Sequence, residues 1–216
     1  MKASKLFHEN KGFLLFLLLM IVFRSAIADW NDVPSGSMRP TIIEGDRIYV
    51  NKLAYDIRVP LTHFSLKHLD EPQRGDVVIF DSKAADKRLV KRVIGLPGDV
   101  VQLQDNKLTI NGVAAQYADL EDHGDYVIAT ETLGSMKHRV RLESRRFSPR
   151  SSFGPVTVPQ NSFLMLGDNR DNSADSRYIG FVPRHEIVGR SSHVVASLNP
   201  DHYYLPRSDR WWEPMH

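Results

Sequence analysis

Beyond one apolar segment near its start, this chain nowhere keeps a 3.6-residue hydrophobic period, and that limits what it can become. What recurs instead are short β-branched and aromatic runs closed by Gly, Asp and Pro. Arg47-Ile48-Tyr49-Val50 follows Gly45-Asp46, and Asp76-Val77-Val78-Ile79-Phe80 follows Gly75. The run from Leu89 to Ile94 is closed by Gly95-Leu96-Pro97-Gly98-Asp99. Val100 to Leu103 and Leu108 to Ile110 flank Asp105-Asn106 as a hairpin. Further strands are expected over Gly154 to Val158, Ser162 to Leu166 and Val188 to Ser197. The links are too short for repeated helical crossovers, so the strands must pair antiparallel and the fold class is mainly β.

Residues 29-100 and 155-200 read as one β core, with 101-154 as a small inserted β subdomain. Within the insertion, about 112 to 150 is polar and irregular, with Arg139, Arg141, Arg145, Arg146 and Arg150 clustered. It reads as a peripheral, solvated loop face, with contact to anionic lipid as the alternative. The tail, 201-216, carries Tyr203, Tyr204, Trp211 and Trp212, which either lie at a membrane interface or fray.

The apolar segment runs from Phe13 to Phe23 after Lys2, Lys5 and Lys11, and is followed by Arg24 and Ser25-Ala26-Ile27-Ala28. One reading is a cleavable signal, since Ala26-Ile27-Ala28 has the small residues of a cleavage site. The other is a transmembrane helix over 12-28, short against the ~20 apolar residues a span needs, with Arg24 reaching the headgroups. Either way the positive-inside rule keeps residues 1-11 cytoplasmic and exports the rest.

Composition removes several chemistries. Without cysteine there is no disulfide framework, thiol nucleophile or thiolate metal site. His63 and His68 are not spaced as a metal pair on one helix face, and no His-Glu-x-x-His occurs. A formal charge of +2 does not argue for nucleic acid as a partner.

Three segments carry possible chemistry. In Val33-Pro34-Ser35-Gly36-Ser37-Met38-Arg39-Pro40-Thr41 two prolines restrict the backbone around a Ser-Gly-Ser, a loop able to present a nucleophile and an oxyanion donor together. In Arg88-Leu89-Val90-Lys91-Arg92-Val93-Ile94, apolar neighbours on both strand faces imply that at least one cation is partly buried. Only the lysine can become a base, and lowering it from ~10.4 to about 8 needs ~3 kcal/mol of desolvation. The third segment is Gly167-Asp168-Asn169-Arg170-Asp171-Asn172-Ser173-Ala174-Asp175-Ser176-Arg177. Read as a calcium loop from Asp171, it has Ser176 where Gly is required and Val182 where a bidentate Glu is required, so internal ion pairs fit better.

Together these segments resemble bacterial type I signal peptidases, the Ser–Lys leader peptidases. The resemblance rests on Pro34-Ser35-Gly36-Ser37-Met38 with Pro40-Thr41, Arg74-Gly75-Asp76-Val77-Val78, Lys91-Arg92 with Gly95-Leu96-Pro97-Gly98-Asp99, and the Gly167 to Ser173 run with Asp175-Ser176-Arg177. An apolar run ending in Arg-Ser before the serine loop also fits that family and favours an uncleaved anchor. Two positions depart from it: Ile179 follows Tyr178 where an aromatic is usual, and Asn31 stands where an apolar residue is common.

The resemblance implies Ser37 as nucleophile, Lys91 as general base and Ser35 as oxyanion-hole donor. It implies Ser173 as the group that orients Lys91, and Asp168, Arg170, Asp175, Arg177 and Arg92 as braces. Val33, Pro34, Met38, Ile42 and Val90 would line small substrate pockets. The implied activity is removal of signal peptides from exported preproteins after Ala-x-Ala sites, with no cofactor and no metal. The implied partners are those signal peptides and membrane lipid, at the bacterial cytoplasmic membrane with the catalytic domain outside. A specialised relative maturing one dedicated substrate, such as a conjugative-pilus peptidase, is the alternative.

Overall fold

The computed structural model describes residues 10–62, 64–145 and 147–215. The expected cytoplasmic lysines Lys2 and Lys5, with His63 and Arg146, lie outside the described residues. The apolar segment forms helix α1 (Lys11–Ala26). Lys52 caps its end, Nζ donating to the Arg24 carbonyl at 2.6 Å, where a cation suits the helix dipole.

This helix differs from the expected span. It has 16 residues, about 24 Å at 1.5 Å per residue, against about 30 Å of bilayer hydrocarbon. Among the described residues no helix is long and apolar enough to cross a membrane. The physical reason is where the chain turns: Ile27 ends the helix and Ala28 already pairs with Asn51 in a sheet.

The remainder is mainly antiparallel β. Its first half contains β1 (Ala28–Asp32), β2 (Asp46–Asn51), β3 (Asp56–Arg58), β4 (Ser65–His68), β5 (Val77–Ser82) and β6 (Lys87–Gly95). Next come β7 (Val100–Gln104), β8 (Lys107–Ile110), β9 (Val113–Ala114), β10 (Gln116–Asp122), β11 (Tyr126–Leu133), β12 (Met136–Glu143) and β13 (Phe153–Thr157). The chain closes with β14 (Ser162–Leu166), a helical turn α2 (Ser176–Ile179), β15 (Val182–Pro183), β16 (Ile187–Asn199), β17 (Leu205–Pro206) and β18 (Glu213–Pro214).

The principal sheet has the order β1-β2-β16-β5-β6-β14-β15, with β17 and β18 also pairing β16. β5 lies inside it and is apolar on both faces: Val77 and Ile79 enter one core cluster, Val78 and Phe80 another. The expected hairpin is present as β7 and β8. Its turn residues Asp105 and Asn106 both adopt positive φ, the conformation that matches a two-residue turn to the strand twist.

The segment from 112 to 150, expected to be irregular, instead forms the three-stranded sheet β10-β11-β12. Alternation along β12 explains it. Met136, His138 and Val140 are buried while Lys137 and Arg139 are exposed, so the arginines mask a strand with one inward face. Leu133 and Met136 join Ile94, Leu103 and Leu166 in a single apolar cluster. The insertion therefore packs on the main sheet rather than standing off it.

Candidate active site

The serine loop leaves β1, turns through a short 3₁₀ segment at Gly36–Met38 and is pinned by its apolar side chains. Met38 and Ile42 sink into the cluster formed by Ile48, Val50, Val77 and Ile79. From the far end of the chain, Asn169 holds the loop's backbone. Its N–H donates to the Ser37 carbonyl at 3.1 Å and its side-chain amide to the Gly36 carbonyl at 2.9 Å. Gly167 lies so close that a Cβ there would collide with the Ser37 carbonyl and with Ser173, so only glycine permits this approach.

Ser37 and Lys91 meet across this arrangement. Lys91 Nζ donates to Ser37 Oγ at 2.7 Å and to the Val90 carbonyl at 2.9 Å. Lys91 is 2% exposed. Burial lowers its pKa to about 8, against the opposing pull of Asp175 and Asp168. The amine thus spends an appreciable fraction of time neutral near neutral pH, which an exposed lysine does not.

The neighbouring Arg92 has the opposite fate. It pairs with Asp168 in a two-pronged contact at 2.9 and 2.7 Å, with both groups buried. Burial alone would raise the Asp168 pKa, but the Arg92 charge and hydrogen bonds, with help from His138 and from Thr41 Oγ1 at 2.6 Å, hold it below the usual value. Asp175 accepts from Arg177 at 2.8 Å and from the Gly167 N–H at 3.0 Å, so it shapes the backbone beside Ser37.

Arg170, fully buried, pairs with Glu131 of β11 at 2.8 and 2.6 Å. Nothing in the residues of the third segment announced that partner. Burial presses the Glu131 pKa up, and Arg170 overcomes it, leaving it lowered. Tyr117 Oη donates to Glu131 at 2.6 Å. His138 of β12 lies 3.5 Å from Glu131 and 3.7 Å from Asp168. Burial, then the Arg92 charge, pushes its pKa down to about 4, so it is a neutral imidazole. The period-2 alternation that places Ala129, Glu131 and Leu133 on the same sheet face as their cross-strand partners Val140, His138 and Met136 was the available signal.

Ser173 departs from its expected role. It is buried against Gly167, and its Oγ has no hydrogen-bond partner among the described residues. Lys91 is instead oriented by Ser37 and the Val90 carbonyl. Ser35 is exposed and extended at the start of the 3₁₀ turn, and its side chain makes no capping hydrogen bond. Its hydroxyl is not committed to that turn.

A groove of about 390 Å³ runs beside the pair. Val33, Pro34, Met38, Ile42 and Val90 all line it, together with Ser35, Ser37, Lys91, Trp30 and Leu89. Its walls are two strand edges. β1 ends the main sheet, and β14 pairs with β6 only from Arg92 to Gly95, which leaves the first half of β6 facing the groove.

Comparison with known proteins shows the family. A model of the signal peptidase family, peptidase S26, matches residues 8–196. The chain belongs to that family. It is 38% identical over 226 residues to a signal peptidase I of Pseudomonas fluorescens, covering 97% of this chain and 79% of that one. A signal peptidase I of Pseudomonas aeruginosa is 36% identical, with the same coverage, 97% and 79%. A crystal structure of a signal peptidase I from Enterococcus faecalis V583 shares 32% identity, covering 56% of this chain and 97% of that one at a TM-score of 0.37.

Two measurements test the electrostatics. In this peptidase, NMR of labelled lysine side chains should show one amine titrating near pH 8, the signal absent from Lys91→Met. Glu131→Gln leaves Arg170 buried without its carboxylate and should lower stability by about 3–5 kcal/mol in chemical denaturation.

Proposed function

We propose that this member of the peptidase S26 family is a membrane-bound serine endopeptidase that removes signal peptides from exported preproteins through Ser37 and Lys91. The single observation that carries the reading is the 2.7 Å contact between Ser37 Oγ and a buried amine whose pKa is about 8. Neutral Lys91 accepts the Ser37 proton as Oγ attacks the scissile carbonyl. The resulting ammonium delivers that proton to the leaving amine, and an acyl-enzyme on Ser37 remains. Lys91, neutral again, takes a proton from the water that hydrolyses the ester. The Ser37 backbone N–H and the Ser35 hydroxyl serve the developing oxyanion.

The two edges lining the groove, β1 and the first half of β6, suit an extended peptide added between them, since main-chain hydrogen bonds hold any sequence. Apolar, shallow lining by Val33, Met38, Ile42 and Val90 supports small side chains before the cut, of the Ala-x-Ala type. Ser173, filling space against Gly167, holds the wall behind the pair.

Helix α1 is taken as the membrane attachment. None of its residues is buried against protein, and Phe13 to Phe23 present apolar surface on all sides, the pattern of a helix surrounded by hydrocarbon. The β core then lies at the outer surface of the membrane.

Cleavage of a preprotein in detergent should fall by at least about 10³-fold in both Ser37→Ala and Lys91→Ala, with folding unchanged by circular dichroism. Retained activity in either would remove the pair from the chemistry. For the wild type, kcat/KM should rise with pH up to about 8 and then level, because the working form of Lys91 is the deprotonated one. Protease added outside spheroplasts should digest the β core while carbonate-washed membranes retain the α1 fragment; release of that fragment into the wash would contradict the attachment.

A further inference from the structure

The groove beside Ser37 has two unlike ends. At one, Trp30 packs under the Arg24 guanidinium, 4.3 Å from the ring centroid, and Arg24 pairs with Asp29 at 2.7 Å. That end abuts the C-terminus of α1. At the other, Asp32, Val33 and Pro34 line both the groove and a second, larger cleft of about 880 Å³. Its further walls come from four places: Arg39 and Glu44 in and just after the serine loop, Arg47 of β2, Ile128 and Arg141 of the inserted sheet, and Asp201 with Tyr204 after β16. A volume near the upper end of ordinary ligand pockets holds several peptide residues.

The chain direction of a bound peptide follows from this asymmetry. If α1 marks the lipid side, as the proposed function holds, the apolar part of a signal peptide belongs at the Trp30 end. The polypeptide then runs parallel to β1, passes Ser37, and leaves past Pro34. We infer that the second cleft is a subsite for the residues that follow the scissile bond, the first residues of the mature protein.

The chemistry of its walls fits that occupant. Arg47 is paired with Asp32 at 2.8 Å, Arg39 with Glu44, and Arg141 with Glu143 at 3.1 Å. The guanidinium groups are thereby largely neutralised, so the cleft presents little net charge and tolerates the varied sequences that mature proteins begin with. Pro34, Ile128 and the Tyr126 ring, stacked under Arg141 at 3.7 Å, supply apolar contact that does not depend on sequence. The inserted sheet forms one wall, so it both braces the ion-pair network and shapes substrate binding.

The test uses two synthetic substrates identical up to the cut, one carrying a single residue after it and one carrying five. In the wild type, kcat/KM should be about tenfold higher for the longer peptide, the scale of added apolar contact. Ile128→Trp, and separately Asp201→Trp at an exposed lining position, should shrink that gain below about twofold while cleaving the short peptide at the wild-type rate. Equal rates for both peptides in the wild type would overturn the subsite, as would a tenfold gain that survives both substitutions. Should both variants lose activity on the short peptide, the wild-type length dependence alone decides. Cleavage of either peptide by Ser37→Ala would instead overturn the Ser–Lys reading, which keeps the two failures apart.

Discussion

Asp168 is a carboxylate taken almost wholly out of water, and such a group is tolerable only with a cation and further hydrogen bonds in place. Arg92 and Thr41 supply them. Those three residues lie on a loop, a strand and a second loop far apart in sequence, so satisfying one charge draws the whole site together. Asn169, next along the chain, then reaches the carbonyls of Gly36 and Ser37. Lys91 sits beside this neutralised pair without a carboxylate of its own in hydrogen-bond contact. Its ammonium is therefore the form that burial penalises. One desolvated ion pair organises the backbone around Ser37, while the adjacent uncompensated cation has its pKa lowered to about 8.

The inserted sheet extends the same logic outward. Arg170 is buried, and its partner Glu131 comes from β11. His138 stands between Glu131 and Asp168 as a neutral ring, separating two carboxylates that would otherwise repel across a dry interior. Asp171 accepts from the Asn106 amide and from the backbone N–H groups of Glu143 and Ser148, tying the third motif to the insertion at a second point. The arginines on the insertion's outer face drew attention in the sequence. The residues that matter to the site are on its inner face.

Substrate geometry follows from which strand edges are left open. β1 terminates the main sheet and β14 covers only the last part of β6. On the proposed reading, a peptide between those edges takes its direction from the helix at the start of β1 and the wide cleft beyond Pro34. On that reading, peptide cleavage, membrane attachment and passage of the mature segment all depend on where β1 begins and ends.

Much of this was legible beforehand. Strand-and-turn punctuation placed β2, β5, β6, β7, β8, β14 and β16 within a residue or two, because period-2 patterning and Gly-Asp turns are local signals. The residues of the groove and the two members of the Ser–Lys pair came from motifs whose side chains the structure brings into contact. What could not be read locally was pairing. The membrane segment was expected to run to Ala28, but pairing of Ala28 with Asn51 ends the helix earlier. Ser173 was expected to hydrogen-bond Lys91, but it is buried beside Gly167 and its Oγ has no hydrogen-bond partner among the described residues. Glu131 and His138 looked like ordinary polar residues until a buried arginine and a buried aspartate were found beside them. Local backbone preference and residue chemistry are properties of the sequence by itself, and they determined the β class and the candidate nucleophile and base. Which charges lose water, and so which lysine is depressed and which carboxylates stay ionised, depends on neighbours from distant segments, and only the tertiary structure decided it.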